Sequence, residues 1–238
     1  MKYWIALGCV IFFGLGACWA FLFHKKFPKE IILWSLLSIL LPLLLPYQLI
    51  EKSLLDYEGG TAWAFFSAYA VSITELFILL ILLILAKNQK PEMFAQNKEV
   101  FAVSFFLGLH FGWGKVFRDS LLLSFHHLSV YYGYSQFMAF PSLSYLVSRI
   151  MRTIFDAQNG AFLGIALLSP YGWPPRSALL SFIFAFKGIP GFIETTIQFV
   201  PRFRLFSSLY LVSFFPLIII IGFIVIQRLL QRKEEEKR

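Results

Sequence analysis

The chain has 238 residues, of which 58% are hydrophobic, 19% aromatic and only 14% charged. A soluble domain averages about 45–50% apolar and about 25% charged. The balance here therefore argues against a soluble enzyme and for an all-α, polytopic transmembrane helix bundle, one integral-membrane domain over residues 1–238. The net charge of +8 reads as cytoplasmic loops and anionic headgroups, not nucleic acid, because Lys and Arg collect between the apolar runs.

Seven apolar runs follow in order, and about seven spanning helices are expected. Run one, Tyr3–Phe23, holds both cysteines, Cys9 and Cys18, so no disulfide framework or zinc knuckle is available. Leu15-Gly16-Ala17-Cys18 resembles a bacterial lipoprotein cleavage site, but Trp19–Phe23 carry the run onward and favour a retained first helix. The basic loop 24–30 leads to run two, Ile31–Ile50, with Pro42 and Pro46 inside it. The loop 51–60 has three acids and one Lys.

Run three, Trp63–Ala86, is 24 residues long with one ionised group, Glu75, near its middle. Its length suffices to cross a hydrocarbon core of about 30 Å. An acid at that depth costs about 2.5–3.5 kcal/mol even on lenient scales, so Glu75 requires a partner or a polar cavity. The polar loop 87–99 follows, with three Lys and two Glu. Run four starts at Val100 and carries Gly108, Gly112 and Gly114 before Lys115, Arg118 and Asp119. Gly108 and Gly112 have the spacing that lets helix backbones approach closely. Residues 120–140, with His126, His127, Tyr131, Tyr132 and Tyr134, suit an interfacial segment.

Run five, Ser144–Leu168, is interrupted by Arg149, Arg152 and Asp156. Run six, Ser177 to about Gln198, is broken at Lys187-Gly188-Ile189-Pro190-Gly191; run seven is Leu205–Ile226. The tail 228–238 is solvated. The bias of Lys and Arg places loops 24–30 and 87–99 and the tail in the cytoplasm, with 51–60 outside, in a plasma or inner membrane. Arg202 and Arg204 vote the other way.

The intramembrane polar residues are Glu75, Lys115, Asp156, Lys187 and His110. Each has a plain structural account. Lys115 can snorkel to an interface, His110 can be a hydrogen-bonded packing residue, and Lys187 can mark a broken helix. No GxSxG, HExxH, P-loop or dinucleotide fingerprint is present.

The order of these features resembles the PrsW-type intramembrane proteases, within the wider group of CAAX prenyl proteases. FLFHKKFPKE is similar to the family's first helix and basic Pro-Glu loop, and EGGTAWAFFSAYAVSITELF to its Gly-rich entry into a helix with a Glu-Glu pair. GLHFGWGKV resembles the Gly-rich helix ending in FxxxE, FDAQNGAFLG the helix with a His, and KGIPG the HGxxD motif. The similarity covers roughly residues 18–195.

The resemblance implies a catalytic zinc, yet the motif positions here hold Thr74 and Glu75 for the Glu pair, Lys115 for the Glu of FxxxE, Asp156 for the His, and Lys187 and Gly191 for HGxxD. Ile78 stands where a Lys or Arg is usual. Ammonium groups repel a divalent cation that needs imidazole and carboxylate ligands. The expectation is a degenerate homologue: no catalytic residue, no metal, no cofactor, and a scaffold, chaperone or partner-binding role with another membrane protein. The scaffold subunit of γ-secretase is an analogous non-catalytic relative. Two alternatives stay open: an active metalloprotease built on Glu75 and His110, which alone would need zinc, and a small-solute or proton-coupled transporter. If the helices pack as in that family, Glu75, Lys115, Asp156 and Lys187 should converge as a neutral ion-pair cluster.

Overall fold

Leucine- and isoleucine-rich runs with few charges favour helices, because apolar side chains fill their faces and every internal backbone group is paired along the helix. The computed structural model describes residues 27–44, 60–124, 143–168, 183, 186–190 and 215–235. Run one with Cys9 and Cys18, most of loop 51–60, most of residues 120–140, most of run six with Gly191, and the start of run seven lie outside the described residues. Among the described residues there is no strand. The described residues form five long helices: α1 (Lys29–Leu44), α2 (Gly60–Gln89), α3 (Asn97–Ser124), α4 (Leu143–Leu168) and α5 (Phe215–Glu235).

The ends of these helices follow from local chemistry. The Pro28 carbonyl accepts from the Ile31 and Ile32 amides at 3.0 and 3.3 Å and starts α1. Pro42 removes the amide that would reach the Ser38 carbonyl near the other end of α1. α2 closes with the Lys90 amide on the Ala86 carbonyl at 3.0 Å, and a 3₁₀ turn, Pro91–Phe94, passes the chain to α3. Run four was expected to begin at Val100 and to give way to an interfacial segment at Ser120. Instead α3 begins at Asn97 and continues unbroken to Ser124, because no Pro interrupts Gly114–Ser124 and Lys115, Arg118 and Leu121–Leu123 are good helix formers.

α3 and α4 form the most extensive helix pair, and they run antiparallel. A Cβ on Gly108 would lie 2.6 Å from the Asp156 carbonyl oxygen, and one on Gly160 3.0 Å from the Gly108 Cα. The Gly108–Gly112 pair thus does what its spacing suggests. α5 runs alongside α4: Phe215 meets Phe155 at 5.7 Å, Gln158 Nε2 donates to the Ile219 carbonyl at 2.6 Å, and Phe223 meets Phe105 at 6.1 Å. One apolar cluster joins α1, α2 and α3 through Phe27, Ile31, Leu83, Val103 and Phe106. A second joins α2, α4 and α5 through Leu76, Phe155, Phe162, Phe215 and Ile219.

The outer faces are apolar too. Leu33, Leu36 and Leu40 of α1, Phe77 and Ile81 of α2, and Leu217, Ile220 and Ile224 of α5 are all exposed. Among the described residues, two helical stretches are long and apolar enough to cross a membrane, Tyr69–Gln89 and Asn97–Arg118, with a shorter apolar stretch at Phe215–Arg228.

Candidate functional site: a closed ring of four charges

Glu75 sits on the inner face of α2, beside the buried Leu76 and Leu79. Its carboxylate meets two ammonium groups: Lys115 Nζ lies 2.7 Å from Oε1 and Lys187 Nζ 3.0 Å from Oε2. Asp156, on α4, meets the same two lysines. Its Oδ2 is 3.1 Å from Lys115 Nζ, and its Oδ1 accepts directly from Lys187 Nζ. The four residues come from α2, α3, α4 and the helical segment 186–190. They close into a ring of alternating sign in which each carboxylate gives one oxygen to each lysine. Side-chain exposure is 15% for Lys115 and 4–7% for the other three. Lys187 also lies over the Phe155 ring, 5.7 Å from its centroid, a cation–π contact that needs no further polar partner.

Small residues make the ring possible. A Cβ on Gly112 would come 2.9 Å from Asp156 Cβ and 3.1 Å from Oδ2, so Gly112 leaves the room in which that carboxylate reaches Lys115. A Cβ on Gly188 would press on the Tyr69 ring, 2.5 Å from Cζ. Gly188 thereby lets segment 186–190 lie against α2 and brings Lys187 within reach of Glu75.

The remaining expected site residues stand apart. Thr74 donates its hydroxyl to the Ala70 carbonyl at 2.9 Å, one turn back on its own helix. Ile78 packs on the α1–α2–α3 cluster. The Nδ1 of His110 is 2.8 Å from the Phe106 carbonyl. A carbonyl only accepts, so Nδ1 carries the proton, and the imidazole meets the Phe106 ring edge-on at 4.2 Å. His110 is the hydrogen-bonded packing residue that its sequence context suggested. Lys115 does not snorkel: its ammonium turns inward to two carboxylates. Lys187 is a ring member, and the expected break at Lys187–Gly191 does not show in its described part, because residues 186–190 are helical.

The donor set does not fit a divalent metal. All four carboxylate oxygens already face ammonium groups, and those cations would repel a second positive centre. Among the described residues no group of three or more His, Cys, Asp or Glu gathers as a ligand set. Two features escaped the sequence reading. Gln158, fully buried, ties α4 to α5; the signal was a polar amide inside an apolar run. The seating of Gly188 on Tyr69 had no signal, because it depends on which helix happens to lie opposite.

No family model, curated protein or solved structure matches the chain.

Proposed function

We propose that the chain is a PrsW-like, multi-pass integral membrane protein of about seven spans that has lost proteolysis and acts by binding, as a scaffold, chaperone or partner subunit. The observation that supports it is the closed ring. Glu75, Lys115, Asp156 and Lys187 stand at the positions where the sequence resemblance implies catalytic ligands. Here they neutralise one another and leave no carboxylate free to hold a metal or activate water. Two anions and two cations sum to zero, which is what a bundle interior requires of charged groups.

A ring of this kind fixes how helices dock, and it offers no reactive group. The apolar outer faces of α1, α2 and α5 supply the surface for lipid and for a membrane partner. Metal analysis and peptide cleavage assays on purified protein test the reading. The expected result is no stoichiometric zinc and no cleavage, together with a stoichiometric membrane partner retained in mild detergent. About one tightly held zinc per chain with cleavage would restore the enzyme reading. Solute flux in vesicles, abolished by Glu75→Gln, would favour a transporter.

A further inference from the structure

The four charges follow chain order around the ring. Glu75 meets Lys115, Lys115 meets Asp156, Asp156 meets Lys187, and Lys187 closes on Glu75. Each charge after the first therefore touches the opposite charge that precedes it in the chain, and like charges stand on the diagonals. Neutrality is reached twice as the chain lengthens: when Lys115 joins Glu75, and again when Lys187 joins Asp156. In both pairs the carboxylate comes first.

The helices that carry these residues differ in how readily lipid accepts them. In α2 an uninterrupted apolar run, Leu76–Ala86, follows Glu75, enough to draw one carboxylate into the bilayer. The crossing stretch of α3, Asn97–Arg118, is more polar. It holds His110, Lys115, Arg118 and the glycines Gly108, Gly112 and Gly114. Lys and Arg are among the costliest residues to place inside a bilayer. Lys187 is similarly placed, beside Gly188 and Pro190.

The first pair is complete within a single hairpin. The turn Pro91–Phe94 links α2 to α3 and sets their antiparallel course. At 1.5 Å per residue, Glu75 stands about 21 Å from the end of α2 and Lys115 about 27 Å from the start of α3. Helical side chains lean toward the N-terminus of their own helix. Lys115 thus leans back toward the turn and Glu75 away from it, which closes the offset and brings Nζ within 2.7 Å of Oε1. Leu79, Leu83, Leu107 and Phe111 of the same hairpin share one apolar cluster.

We infer that Glu75 is the insertion partner of Lys115: α2 enters the bilayer first, and its carboxylate admits the more polar α3. Asp156 on α4 plays the same part for Lys187. The inference rests on the membrane-spanning reading, and on neither the family resemblance nor the loss of proteolysis. In the finished ring Lys115 faces Glu75 and Asp156 alike. Order of synthesis, N-terminal segments first, is what separates the two carboxylates, because α3 is made before Asp156 exists.

The test uses the full chain without Cys9 and Cys18, carrying either Gln96→Cys, exposed just before α3, or Ser129→Cys, just after it. Newly made chains are labelled with an impermeant maleimide in intact and in permeabilised cells. Crossing by α3 puts the two positions on opposite sides, as expected for nearly all wild-type chains. Glu75→Ala should raise the same-sided fraction several-fold, and Glu75→Ala/Lys115→Ala should return it to the wild-type level. Asp156→Ala should leave that fraction unchanged, although it strips Lys115 of a carboxylate just as Glu75→Ala does. Equal fractions for Glu75→Ala and Asp156→Ala would overturn the inference. Alkaline carbonate extraction checks the underlying reading separately: a wild-type chain washed off membranes would overturn membrane insertion, and this inference with it.

Discussion

At the scale of single residues the ring behaves as a unit. Each lysine faces two carboxylates and each carboxylate two lysines. Removing one member therefore leaves a buried charge with half its compensation. Lys115→Ala should destabilise the fold by about 3–5 kcal/mol, the range for stripping one partner from a buried pair. Glu75→Ala/Lys115→Ala, which removes one charge of each sign, should cost clearly less than the sum of its single variants. Denaturant unfolding in detergent measures both; additive losses would mean that the two residues do not interact. At the surface, the Glu30 carboxyl is held below its ordinary value by a backbone hydrogen bond at the start of α1 and then by Lys90, whose own pKa is raised by Glu30. A lowered carboxyl contributes stability above its unfolded pKa and loses it as pH falls through the folded one. The difference in unfolding midpoint between wild type and Glu30→Gln should therefore shrink on acidification below the usual carboxylate range. Above neutral pH it should persist until Lys90 deprotonates at its raised pKa.

Elements are held together by glycines of two kinds, and this gives a prediction at their scale. Around Gly108 the nearest atoms to an added Cβ are backbone: Asp156 O at 2.6 Å, Ala157 Cα at 3.0 Å and Gly160 Cα at 3.2 Å. Around Gly222 they are the end of the Gln158 side chain, at 2.9–3.1 Å. Backbone cannot step aside, whereas the end of a side chain can shift slightly without moving a helix. Gly108→Ala should therefore push α3 from α4 and cost about 1–3 kcal/mol, the usual range for overpacking. Gly222→Ala should cost less, and equal losses by detergent unfolding would refute the distinction. The contrast also shows what the sequence could convey. Gly108 and Gly112 were legible because their spacing is a property of one helix, and Glu75 was legible because its burial cost is. The partner of Gly188 was not legible, since no property of KGIPG names Tyr69. The alternation within the ring depended likewise on how α2, α3, α4 and segment 186–190 come together. The family resemblance, with charge balance, could suggest only that the four residues would meet, and the course of α3 through Lys115 and Arg118 was hidden by reading charges as the end of a run.

For the whole molecule, the directions of the helices bear on the proposed topology. α1 starts, α2 ends, α3 starts and α5 ends at one rim of the bundle, where Lys90 pairs with Glu30 and Trp34 with Gln89, while α2 starts and α3 ends at the opposite side. α4 runs antiparallel to α3 and so finishes at the rim, as α5 does. The chain therefore changes sides of the bundle between Leu168 and Phe215. Residues 27–30 and 87–99 and the end of α5 share one side, which agrees with the charge bias of those stretches. The ring lies twelve residues below Lys87 on α2 and twelve below Leu168 on α4, about 18 Å in each case at 1.5 Å per residue. In a core about 30 Å thick that is past the midplane, toward the side away from the rim. Cysteine labelling in intact cells checks the orientation. In a background lacking Cys9 and Cys18, Met93→Cys should resist an impermeant maleimide until the membrane is permeabilised, and Glu58→Cys should react at once. Labelling of Met93→Cys in intact cells would reverse the orientation.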